Sequence, residues 1–115
     1  MLKTEQKPPK YLAAATKKWW KSVTSRWVLE EHHLRLLTGA ATAWDRMEQA
    51  RALLATHGLT YEDAKLKRPV ARPEVAIERD SRLAFARLLR ELDLDVEPPT
   101  APSRPPTLRS MRGKK

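Results

Sequence analysis

Histidines and carboxylates are the side chains of this 115-residue sequence that could do metal or acid–base chemistry. His32 and His33 are neighbours, and adjacent side chains on a helix point about 100° apart, whereas helical metal ligands need a spacing of three or four residues. The sequence has no cysteine, no G-x-S-x-G, no P-loop and no H-E-x-x-H. We therefore predict a non-enzymatic protein with no catalytic residue, no metal site and no cofactor, and we interpret the histidine pair as helix-surface residues.

The charged residues are distributed unevenly along the chain. Lys and Arg number 23 against 14 Asp and Glu, which gives a net charge of +9. Residues 1–27 carry seven bases and one acid, residues 96–115 carry five bases and one acid, and the stretch between them has eleven bases and twelve acids. This excess favours a polyanionic partner, nucleic acid before an anionic membrane surface, although basic ends can also serve solubility alone.

Apolar runs are too short for a membrane span. The longest stretch without a formal charge is the ten residues 52–61, against the roughly twenty that a spanning helix needs. The first ten residues lack the apolar segment of a signal peptide. We expect a soluble intracellular protein with no membrane partner.

Helical periodicity dominates the middle of the chain. Three helices, short, long and medium, are predicted over about 12–27, 29–57 and 73–93, because apolar residues recur there at spacings of three and four without interior proline. The polar connector 59–72 is predicted as a short loop or a weak hairpin. The fold class is therefore all-α.

Both ends of the chain have the composition of flexible segments. The Pro8-Pro9 pair closes a basic arm over 1–10, and five prolines fall within nine residues of the basic tail 96–115. We expect the arm to be disordered or extended and the tail to be polyproline-like or disordered, with a single helical domain over 11–95 between them.

Two adjacent tryptophans mark the first helix. Neighbours on a helix cannot both face one core, so we expect Trp19 inside, with Trp44 and the leucine face of 83–92 around it. Trp20 is then left for a subunit interface, with stacking on a nucleic-acid base as the weaker alternative.

The long helix carries an apolar stripe wider than one short and one medium helix can cover. Large uncovered apolar surfaces mark interfaces, so we expect the remainder to pack against another copy of the chain. The predicted interface residues are Leu34, Leu37, Ala41, Trp44, Met47, Leu54 and Trp20.

Five pieces of sequence stand out by their order and spacing. They are KPPKYLAAATKKWWKSV from Lys7, A-x-x-A-W-D-R over 40–46, H-G-L over 57–59, R-P-E-V-A-I-E over 72–78 and R-E-L-D-L over 90–94. Together, across residues 8–95, they resemble phage terminase small subunits, and more narrowly the small all-helical group encoded beside portal and HNH endonuclease genes. Asp93 departs from the pattern, because many relatives carry glycine there.

The resemblance implies a component of a phage genome-packaging motor. Such subunits recognise viral double-stranded DNA, assemble into rings of about eight to eleven copies, and deliver DNA to the large terminase subunit, whose activity they modulate. The resemblance also implies a location in the host cytoplasm and absence from the mature virion.

The N-terminal cations are the expected DNA contacts. Phosphate binding is predicted for Lys7, Lys10, Lys17, Lys18, Lys21 and Arg26. The tail 96–115 either docks the large subunit or binds DNA without specificity. Two alternatives remain open: a helical DNA-binding regulator that is a monomer or dimer, and a connector or adaptor protein of the virion.

Overall fold

The computed structural model describes residues 6–94 and 96–99. Its elements are α1 (Ala14–Arg26), α2 (Glu31–His57), β1 (Thr60–Asp63), β2 (Arg68–Ala71) and α3 (Pro73–Leu92). The prediction of an all-α class with three helices is confirmed, and each helix begins and ends within two residues of the expected position. Most of the predicted tail 96–115 and half of the predicted arm 1–10 lie outside the described residues.

Local chemistry sets the helix ends. The backbone N–H of Glu30 donates to His33 Nδ1 at 3.3 Å, so His33 helps to cap the start of α2. That helix ends at Gly58, whose φ of 85° lies in the region that favours glycine. Pro73 begins α3 at a position where the N–H that proline lacks would have no helical partner. Sequence signals of this kind explain why the predicted boundaries were close.

The connector forms an antiparallel β-hairpin, which is one of the two predicted alternatives. Its strands pair from Thr60 opposite Ala71, and the backbone N–H of Arg72 donates to the carbonyl of Leu59 at 2.9 Å to close the base. Residues 64–67 make the turn without a glycine. The strands make almost no contact with the helices, so the hairpin extends away from them.

Helices α2 and α3 form an antiparallel pair and make the largest packing contact of the fold. Near one end of the pair, a Cβ placed on Gly39 would lie 3.2 Å from Leu88 Cδ1. Further along, Arg51 Nε donates to Glu78 Oε2 at 3.2 Å. The short α1 packs mainly against α2.

An aromatic cluster joins the three helices. The ring of Phe85 on α3 lies 5.0 Å from that of Trp44 and 6.3 Å from that of Trp19, measured between centroids. Leu92 is 2% exposed and belongs to the same core. Leu83, by contrast, is 51% exposed, because two residues before Phe85 a side chain points away from the core. The core is therefore centred on the expected residues, except that Leu83 is not part of it.

The expectation that only one tryptophan of the pair is buried is wrong. Trp20 is 3% exposed and Trp19 is 8% exposed. Thr16, one turn before Trp20, bonds to Asp45 of α2, whereas Trp19 Nε1 donates to the Glu97 carbonyl at 2.5 Å. Helix α1 is thus covered from two directions, by α2 and by the chain that follows α3, and adjacent side chains are both enclosed.

Candidate nucleic-acid interface

Helix α1 buries one face and leaves its cations at the surface. The buried positions recur at spacings of three and four: Thr16, Trp19, Trp20, Val23 and Thr24. The cations predicted to bind DNA are exposed, except for the half-buried Lys17, and they lie on or beside α1: Lys7, Lys10, Lys17, Lys18, Lys21 and Arg26. We call these six residues the α1 basic surface.

The charges of the α1 basic surface are not compensated within the described chain. None of its six cations forms an ion pair with a carboxylate among the described residues. On the α2–α3 pair, Arg51 and Arg82 lie 3.2 and 3.3 Å from Glu78, and Arg35 lies 2.9 Å from Glu31. The helical pair neutralises much of its own charge, whereas the α1 basic surface keeps a positive potential that attracts phosphates.

A carboxylate from a different helix fixes the start of α1. Ala13 precedes α1 and offers no side-chain cap. Asp45 of α2 replaces that cap: its Oδ2 accepts from the Ala13 N–H at 2.8 Å and its Oδ1 accepts from the Thr16 hydroxyl at 2.5 Å. A negative charge at this end is also favoured by the helix dipole. Sequence reasoning gave Asp45 no role, although A-x-x-A-W-D-R contains it.

A second anchor holds the middle of α1. Trp19 Nε1 donates to the carbonyl oxygen of Glu97, and Leu94 and Val96 pack against the core next to it. The chain that leaves α3 therefore passes beside α1. The start of the predicted tail and the α1 basic surface are neighbours in the fold.

The histidines at the start of α2 have structural partners. Their rings lie 4.0 Å apart between centroids with planes tilted by 39°, and His32 Nδ1 lies 3.6 Å from a Glu30 carboxylate oxygen. Across residues 6–94 and 96–99, no group of three His, Asp or Glu side chains is placed to hold a metal ion. In the same part of the chain, no helix is both long and apolar enough to cross a bilayer.

Four of the seven residues that were predicted to form an interface between copies are almost fully buried in the single chain. They are at most 3% exposed within the fold: Leu37, Ala41 and Met47 on α2, and Trp20 on α1. Burial leaves these four residues little surface for a contact between copies, and the predicted interface stays a prediction. The other three are half-buried: Leu34, Trp44 and Leu54.

An open apolar groove of about 670 Å³ runs between the first half of α2 and the second half of α3. Its walls are Tyr11, Glu31, Leu34, Arg35, Thr38, Gly39, Thr42, Ala43, Ala84 and Leu88. The close approach between the two helices at Gly39 and Leu88 lies within this lining. Of the predicted interface residues, Leu34 lines this groove.

The hairpin carries cations that sequence reasoning did not single out. Lys65, Lys67 and Arg68 are exposed around its turn, and none of them pairs with a carboxylate that the structure describes. The signal was the run K-L-K-R inside a connector that we interpreted only as polar.

Comparison with known proteins gives one finding. The family model of phage terminase small subunits matches residues 15–101, which includes α1 except its first residue, α2, the hairpin and α3. No curated protein and no solved structure matches the chain significantly.

Proposed function

The chain belongs to the phage terminase small-subunit family, and from this premise we propose that it is the DNA-recognition component of a packaging motor. The family assigns it to phage genome packaging. In the finer proposal it binds viral double-stranded DNA as a homo-oligomer, delivers that DNA to the large terminase subunit and modulates the activity of that subunit. It acts in the host cytoplasm without a catalytic centre or cofactor of its own, and it is not retained in the mature virion.

The observation that carries the DNA-binding part is the uncompensated charge of the α1 basic surface. Lysines on a helix bind phosphates as point charges without reading bases. Four of the six cations are on α1 itself, which Asp45 and Glu97 anchor at two points. A ring would repeat this surface around its circumference, so weak contacts per subunit would add up to firm binding.

The groove supports the proposal of self-association. Helix α1 covers one side of the α2–α3 pair, whereas the groove side stays open. By helical spacing, Ile77 shares a face with Ala84 and Leu88, and Leu53 shares a face with Thr42. Ile77 and Leu53 are each 44% exposed. We call this surface the groove face and propose that it packs against a second copy in a ring of about eight to eleven subunits.

The position of the tail supports the proposed contact with the large subunit. Leu94, Val96 and Glu97 lie beside α1, so the tail over 96–115 starts next to the helix that carries most of the proposed DNA surface. A large subunit bound to that tail would be close to the DNA that α1 holds. The partner of the tail is therefore proposed to be the large terminase subunit.

DNA binding is tested by titrating a 30-base-pair duplex with the protein at several salt concentrations and following fluorescence anisotropy. The double variant Lys18→Ala/Lys21→Ala removes two exposed cations from the α1 basic surface. Because each neutralised phosphate adds about 0.9 to the slope of log K against log salt, we expect the slope to fall by about 2. Affinity should fall at every salt concentration.

The matched control is Arg87→Ala/Arg90→Ala, which removes the same charge from exposed positions on α3. We expect this variant to bind DNA with nearly the wild-type slope. Equal losses in both double variants would refute binding through the α1 basic surface. Absence of DNA binding by the wild-type protein at low salt would refute the proposed function.

A further inference from the structure

We propose that the tip of the β1–β2 hairpin is a second DNA-binding element, in which Lys65, Lys67 and Arg68 contact phosphates and Leu66 enters the minor groove. This inference rests on the proposed function, because it takes double-stranded DNA as the partner. It adds a site that is separate from the α1 basic surface.

The first observation is the composition of the tip. Leu66 lies between two lysines and is 54% exposed, and all residues from 64 to 68 are exposed. The cations at the tip outnumber its one acid, Asp63. The Asp63 carboxylate is occupied, since it accepts from the N–H groups of Lys65 and Leu66 at 2.9 and 2.7 Å. An apolar side chain among free cations suits a DNA groove lined by phosphates.

The second observation is that the tip has a defined shape. Besides the Asp63 side-chain bonds, the N–H of Lys67 donates to the Asp63 carbonyl at 2.7 Å, and Lys67 adopts a φ of 54°. These bonds fix the backbone of the turn, so Leu66 and its neighbours are presented on an ordered loop. An ordered tip loses less conformational entropy on binding than a flexible one.

The third observation is the isolation of the hairpin. Its strands make almost no contact with the helices, and Asp63 and Val70 are the half-buried residues within them. A two-stranded hairpin is only marginally stable on its own in water, and the helices add little packing to this one. Its presence is therefore not explained by a contribution to the packing of the helices. Proteins that use β-ribbons on DNA place their strands in the major or the minor groove, and apolar side chains such as leucine can insert from the minor groove.

The hairpin and the start of α1 are separated along the axis of α2. Asp45 anchors the start of α1, and Gly58 precedes the hairpin; at 1.5 Å per residue these points are roughly 20 Å apart along α2. The two elements can therefore contact separate stretches of one duplex. Contacts of this kind bind DNA by backbone and shape without a base-reading helix.

The test uses the full chain, a 30-base-pair duplex and two hairpin variants, Lys65→Ala/Lys67→Ala and Leu66→Ala. We expect the lysine double variant to lower the salt slope by about 2. We expect Leu66→Ala to weaken binding about fivefold without changing the slope, because it removes an apolar contact and no charge. A minor-groove ligand such as distamycin should compete with the wild-type protein and compete less with Leu66→Ala.

The controls are Leu83→Ala, an equally exposed leucine on α3, and Arg87→Ala/Arg90→Ala. If the hairpin variants bind like the wild type while Lys18→Ala/Lys21→Ala loses affinity, the hairpin site is refuted and the proposed function stands. Losses no larger than those of the controls, or equal competition by distamycin in both proteins, would also overturn the site. If the wild-type protein binds no DNA, the proposed function and the hairpin site fail together.

Discussion

Asp45 of α2 and Thr16 of α1 are 29 positions apart in the sequence and are joined by a hydrogen bond of 2.5 Å. The same carboxylate accepts from the Ala13 N–H, so the side chain that caps α1 comes from another helix. This arrangement ties the orientation of the basic helix to the α2–α3 pair. A single carboxylate therefore contributes both to stability and to where the cations of α1 are held.

Asp45→Ala should destabilise the fold by about 2 kcal/mol, because two bonds to a buried carboxylate are lost and α1 has no other N-terminal cap. Urea unfolding followed by circular dichroism measures this loss. Asp45→Asn is the matched control, since its amide oxygen can still accept one of the two bonds, and it should cost clearly less. Equal losses in the two variants would show that the one bond the amide oxygen can keep contributes little, and that the site requires the charged carboxylate with both of its acceptor oxygens.

The sequence was sufficient to predict the helices and their ends, which depend on residues close together in the chain. Periodicity, Pro73 and Gly58 marked the helices to within two residues. It was insufficient for contacts between distant residues, such as the one from Trp19 to Glu97. Trp20 was misplaced for the same reason: helical geometry shows that neighbours point apart, but not that α1 is covered from two sides.

In the candidate site, too, some features could be predicted from the sequence and others depend on contacts between distant residues. The cations on and before α1 could be listed from charge alone. Five of the six are exposed, and their contact with DNA stays a prediction. Three expected interface residues of α2 are buried within the chain, because the width of an apolar stripe does not say which part of it the chain itself covers. The K-L-K-R run is evident in the sequence, but its exposure could not be predicted from it. The hairpin places Leu66 and its neighbours at an exposed turn.

Gly39→Ala should change stability by less than about 1 kcal/mol, because the gain in helix propensity opposes a close contact. The new Cβ would meet Leu88 Cδ1 at 3.2 Å, and that atom is the end of a side chain that can move. Gly39→Leu should cost about 2 kcal/mol, since its larger side chain must push α2 and α3 apart. Thermal unfolding of both variants tests this, and a stable Gly39→Leu protein would mean that the helices do not pack closely at Gly39.

Asp93→Gly should stabilise the protein by about 0.5–1 kcal/mol. Asp93 follows α3 in the left-handed conformation, with φ 55° and ψ 42°, which costs energy for any residue with a Cβ. Asp93→Ala is the control and should be no more stable than the wild type, because the Cβ stays. Melting temperatures would separate the two, and a destabilised Asp93→Gly protein would show that the aspartate side chain has a role of its own there.

Assembly through the groove face should survive salt and fail when that face is charged. Light scattering at about 0.15 M and about 0.5 M salt should give a mass of about eight to eleven times the 13.2 kDa subunit in both conditions, because apolar contacts are weakly screened. Leu53→Glu/Ile77→Glu places charges on the groove face and should reduce the mass toward the monomer. Leu83→Glu, at an exposed position elsewhere on α3, should keep the assembly.

A wild-type monomer or dimer in both conditions would refute the ring and favour a small DNA-binding regulator. A ring that persists in Leu53→Glu/Ile77→Glu would mean that a different face mediates assembly.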